Sequence, residues 1–87
     1  MSFGRETTRR YTKEELTAML AALDSGEMGT VLRAKGILAD TDGGWLHFDF
    51  VPGEIAVRNG AADYTGRLCV IGASLDEAKL TALFDLA

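Results

Sequence analysis

Arg33 and Lys35 stand two residues apart in Thr30-Val31-Leu32-Arg33-Ala34-Lys35-Gly36-Ile37-Leu38, a run that otherwise reads as a buried strand. In an extended chain alternate side chains share a face, so both cations project from one side of a sheet while Leu32, Ala34 and Leu38 project from the other. A planar guanidinium beside a compact ammonium suits an anionic ligand or an acidic partner. The competing reading is a pair of solvated cations on the wet face of an antiparallel sheet, paired with Asp49 and worth only about 0 to 1 kcal/mol.

The next apolar run, Trp45-Leu46-His47-Phe48-Asp49-Phe50, alternates in the same way and puts Trp45, His47 and Asp49 on the face of Arg33 and Lys35. These five residues are the candidate partner-binding set. Trp45 suits an interface anchor, since large amphipathic rings dominate interface energetics, or else it covers the aliphatic parts of Arg33 and Ile37. His47 is the only histidine. With Asp49 and the lone Cys69 it falls short of the dense Cys/His spacing of closed zinc sites, so it reads as a surface histidine and no metal ligand set is assigned.

Catalysis finds no support in the same inventory. One histidine without a G-x-S-x-G context does not make a nucleophile system. Ten glycines include no G-x-x-x-x-G-K-[ST], so the nest of backbone N–H groups and the lysine that hold GTP phosphates are missing, and the chain is expected to leave GTP alone. Glu14 with Glu15 and Asp76 with Glu77 are acidic first turns favoured by the helix dipole.

The elements that must position the candidates can be read from local chemistry. A strand from about Phe3 to Arg10 precedes Thr12-Lys13-Glu14-Glu15, a capping box that opens a helix with the stripe Leu16, Met19, Leu20 and Leu23. Strands follow at about Thr30 to Ala39 and Trp45 to Val51, joined through Asp42-Gly43-Gly44. Pro52-Gly53 breaks to a short strand from Glu54 to Arg58, Asn59-Gly60 turns, and residues 61–66 read as loop. Leu68 to Ala73 is the most apolar strand and is expected to be central. A second helix from about Leu75 to Leu86, started by Ser74 or Asp76, turns Ala78, Leu80, Leu83 and Phe84 or Ala87 inward.

This order predicts an α+β fold: two layers, a mainly antiparallel sheet of four to five strands with both helices on one face, β-α-β-β-β-β-α, a ferredoxin-like variant. Leu32, Ala34, Leu38, Leu46, Phe48 and Phe50 are expected on the covered face. The open face is where function is expected.

Composition narrows the classes further. Eighty-seven residues make one small domain, and 47% hydrophobic with 25% charged residues is ordinary for a globular chain. The aliphatic runs are too short to span a bilayer, the N-terminus lacks the apolar segment of a secretory signal, and one cysteine forms no internal disulfide, so the chain is expected in the cytoplasm. A formal charge of −4 opposes nucleic acid and anionic lipid alike. A small nucleic-acid-binding sheet, with Trp45 and His47 stacking bases over Arg33 and Lys35, is the alternative that this charge disfavours.

From about Phe3 to about Phe84, several motifs occur in a telling order: a strand ending in Arg9-Arg10-Tyr11, a helix, the Arg33-x-Lys35-Gly36 strand, a strand bearing Trp45, and Ile71-Gly72 followed by Leu75-Asp76-Glu77. This succession resembles the C-terminal domain of the CobW-like cobalamin-biosynthesis GTPases, a family of nucleotide-dependent metal chaperones. The resemblance implies one CobW-like C-terminal domain over residues 1–87, non-catalytic and without a cofactor of its own. GTP, Mg²⁺ and a transition metal would belong to the GTPase domain, with its Cys-x-Cys-Cys type of motif. The implied partners are that GTPase domain, in cis or in trans, and a client metalloprotein.

Overall fold

Thr12 caps α1 (Lys13–Leu23) with a complete capping box: its hydroxyl accepts from the Glu15 amide at 3.0 Å and its own amide donates to the Glu15 carboxylate at 2.9 Å. That hydrogen bond holds the Glu15 carboxyl below its ordinary range. Leu16, Leu20 and Leu23 form the buried stripe. The helix belongs to a computed structural model that describes residues 1–86. Around it the chain runs β1 (Ser2–Thr7), β2 (Arg10–Tyr11), α1, β3 (Thr30–Asp40), β4 (Trp45–Val51), β5 (Glu54–Asn59), β6 (Gly66–Ala73) and α2 (Glu77–Leu83).

Among the described residues the strands form one six-stranded sheet in the order β1-β6-β3-β4-β5, with β2 beside β3. Every pairing is antiparallel except β2 with β3. The predicted two-layer α+β architecture is present, with one strand more than expected. The extra strand arises where a single opening strand was expected. The Thr7 hydroxyl accepts from the Arg9 amide at 3.0 Å and turns the chain out of β1. β6 begins at Gly66, directly opposite Thr7, so beyond that point nothing separates the chain from β3. Arg10 and Tyr11 step into the gap and pair with Ala39 and Asp40.

β6 also starts two residues earlier than expected, and it is interior, flanked by β1 and β3. α2 is shorter than the expected span and is capped by Asp76, whose carboxylate accepts from the Lys79 amide at 3.1 Å. Leu80 and Phe84 are buried and Leu83 is half-buried, but Ala78 is exposed because the seven-residue helix presents only a narrow strip to the sheet. The alternative inward position, Ala87, lies outside the described residues.

One core holds the two layers together. Leu16, Leu20 and Leu23 of α1 and Leu80 of α2 share it with Phe3, Val70, Leu38 and Phe48 of the sheet. Leu32 does not join them. The β3–β6 register slips between Val31 and Arg33, so Leu32 is the extra residue of a β-bulge and stands 57% exposed, while Val31 takes the inward position. Strict alternation from Ala34 had placed Leu32 on the covered face, and the bulge reverses that. Tyr11 closes the far end, its buried hydroxyl donating to the Phe84 carbonyl at 2.7 Å. Burial raises the phenol's pKa above its ordinary value, against the nearby Arg9.

Candidate interaction face of the sheet

Pro52 and Gly53, the latter at φ +81°, turn the chain so tightly that Val51 opposes Glu54, and the rest of the β4–β5 register follows. His47 is thereby set opposite Arg58 and Asp49 opposite Ala56. On the other side of β4, Lys35 opposes Asp49 and Ile37 opposes His47. β6 contributes Cys69 opposite Lys35 and Arg67 opposite Ile37. Two rows therefore cross the open face: Gly4, Cys69, Lys35, Asp49 and Ala56, then Glu6, Arg67, Ile37, His47 and Arg58.

The Lys35 row includes the small residues Gly4, Cys69 and Ala56, and the surface over it sinks into a depression of about 530 Å³. Its lining includes four cations, Arg33, Lys35, Arg58 and Arg67, and one carboxylate, Asp49. Arg58 Nη1 lies 3.1 Å from one Asp49 oxygen and Arg33 Nη2 3.9 Å from the other. Arg67 pairs with Asp63 at 2.6 Å. The arginine side chains in these pairs are more than half exposed, where such contacts are worth about 0 to 1 kcal/mol and exchange readily. Lys35 makes no ion pair among the described residues, although it stands in the Asp49 row.

His47 has a positional role. Its Nε2 lies 2.8 Å from the Ala61 carbonyl, to which it donates, and Gly60 rests against the ring so closely that a Cβ there would meet it at 2.5 Å. The imidazole thus fastens the 60–65 loop to the rim of the depression. Trp45 lies at the start of β4 opposite Ala39, half-buried, and is not among the lining residues. Of the five sequence candidates, Arg33, Lys35, His47 and Asp49 converge, and Trp45 stands apart. Among the described residues no group of three or more His, Cys, Asp or Glu side chains could hold a metal ion, and no helix is long and apolar enough to cross a membrane.

Arg58 and Arg67 belong to this face and were missed as candidates. Counting back from the Pro52-Gly53 turn sets Arg58 beside His47, so that signal was present in the sequence. Arg67 shares the alternation of Cys69 and Ile71 and was lost because the strand was begun at Leu68.

The fold has solved counterparts. The chain superposes on the Zn(II)-bound YjiA GTPase from E. coli with a TM-score of 0.76 at 23% identity, covering 97% of this chain and 28% of that one. A Zn(II)-bound triple mutant of the YjiA GTPase gives a TM-score of 0.78 at 21% identity, with the same coverage. Likeness at this identity establishes a shared fold, and the chain spans 28% of the length of these two proteins. No curated protein matches the chain in sequence. The family model of the cobalamin synthesis protein cobW C-terminal domain matches residues 1–87, and the chain belongs to that family.

Proposed function

We propose that this chain is a non-catalytic interaction and regulatory domain of a CobW-like GTPase concerned with cobalamin synthesis or metal delivery. Its open sheet face meets the GTPase domain, in cis or in trans, and through it the client metalloprotein. Family membership over residues 1–87 supports the setting, as does a fold shared with less than a third of a Zn(II)-bound GTPase. The absence of a phosphate-binding loop from these 87 residues supports the non-catalytic role. A cytoplasmic location goes with the same reading.

The observation that carries the choice of face is Lys35. It lies in a depression among three arginines, each arginine already turned to a carboxylate, and its own ammonium makes no ion pair among the described residues. Charge-paired partners of this kind gain on-rate and specificity more than raw affinity. Titration calorimetry of the chain against a CobW-like GTPase domain from the same genome tests the proposal. Saturable heat that weakens in the Arg33→Gln/Lys35→Gln variant and in high salt is the expected result. Heat that is unchanged in that variant would assign contact to another surface.

A further inference from the structure

We infer that the occupant of the open face is an extended acidic segment of a partner protein with apolar residues at one end. Its carboxylates meet Lys35 and Arg58, and its apolar end lies against Leu32 and Ile71. This inference rests on the proposed role of the face as a partner surface and names the chemistry of what binds there.

The bulge in β3 is the first observation. Leu32 and Arg33 together oppose the single residue Ile71, so three side chains crowd onto the open face at one end of the sheet. Leu32 is 57% and Ile71 43% exposed, and Val51 reaches the same face at the end of neighbouring β4. One exposed aliphatic residue is ordinary, but a cluster of them rimmed by charge marks a contact surface.

Charge supplies the second observation. Moving along β3 from Leu32, the face turns cationic, with four basic side chains lining the depression against Asp49 within it and Asp63 beside Arg67. The chain as a whole carries −4. Outside the lining of the depression the remaining 5 Lys and Arg residues stand against 12 Asp and Glu, so a polyanion gains little there. A segment with two or three carboxylates fits so local a cationic patch; a nucleic-acid backbone, charged along its whole length, does not. From the Ile71 row to the Arg67 row the face runs four residues along β3, or about 13 Å. An extended segment of a few residues spans it, acids over Lys35 and Arg58 and aliphatics over the bulge.

The test uses a fluorescein-labelled, blocked peptide of three glutamates followed by two leucines, titrated with the 87-residue chain and read by anisotropy. Saturable binding is expected. It should weaken by about tenfold or more in Lys35→Glu, and comparably in the Leu32→Ser/Ile71→Ser variant, with a further loss in high salt. A peptide with serines for the leucines should bind more weakly, and one with lysines for the glutamates should not bind. All these positions are exposed, so thermal melts should match the wild type. If Lys35→Glu fails to fold, Lys35→Gln and the salt series decide in its place. A silent acidic peptide overturns the inference, as does equal binding of the lysine peptide or a short RNA that binds and displaces the acidic one. A silent peptide, with a GTPase-domain titration still weakened by Arg33→Gln/Lys35→Gln, overturns the acidic-segment inference alone. Peptide binding beside a GTPase domain indifferent to this face overturns the proposed function alone.

Discussion

Phe48 and Asp49 are consecutive in β4, yet one lies at the centre of the covered face and the other at the centre of the open face. Phe48 is sealed in the core and its ring lies over Gly36, where a Cβ would sit 2.6 Å from the ring and 2.5 Å from the Arg67 carbonyl. That arrangement has one packing solution, and any change of volume is felt. Asp49 is held by two arginines whose contacts with it can be traded for a partner's at small cost. The same strand thus gives its rigidity to one side and its adaptability to the other, and the two faces should respond oppositely to substitution.

The largest effect is expected at Phe48. Replacing it with alanine should cost about 3 to 5 kcal/mol, a large part of the roughly 5 to 15 kcal/mol of a small domain, read from the denaturant midpoint. A midpoint equal to the wild type's would erase the distinction between the faces. Gly36→Ala probes the same contact from the other side and should cost about 1 to 3 kcal/mol, because backbone and ring must both shift. If it is silent, Phe48 does not press on β3.

Tyr11→Phe should cost about 1 to 2 kcal/mol by leaving the buried Phe84 carbonyl without its donor. The phenol also predicts a pH dependence. Its folded pKa is raised by burial, so the stability it contributes is complete below the unfolded phenol pKa and is lost as pH rises through the folded value. Wild type should therefore lose stability in that alkaline window and the phenylalanine variant should not. Parallel curves would show that the hydroxyl is solvated.

Arg33→Gln/Lys35→Gln should change stability by less than about 1 kcal/mol while weakening partner association. A loss of several kcal/mol would show that the open face is structural too. The smallest effect is expected at Leu32. Strict alternation would make Leu32→Ala a core truncation worth about 2 to 5 kcal/mol, whereas its place in the bulge predicts a change within about 0.5 kcal/mol. The denaturant midpoint of this one variant separates the two geometries.

Leu32 also marks how far the sequence could be read. Thr12 with Glu15 and the Pro52-Gly53 turn act through atoms a few residues apart, so their chemistry is legible without the fold, whereas the structure chose Asp76 over Ser74 as the cap of α2. Alternation then assigns Arg33, Lys35, His47 and Asp49 to one face, since that too needs only the local backbone. The bulge at Leu32 depends on how β3 meets β6, and the step of Arg10 and Tyr11 onto β3 depends on where β6 begins. Both are properties of strands paired across tens of residues. The sequence by itself determined the start of α1, the hairpin and the two-faced sheet, because each follows from short-range hydrogen bonding and a period of two. Only the tertiary structure decided the register that gathers Arg58 and Arg67 around Lys35 and turns Leu32 outward, because register is set by pairing between distant segments that no local pattern records.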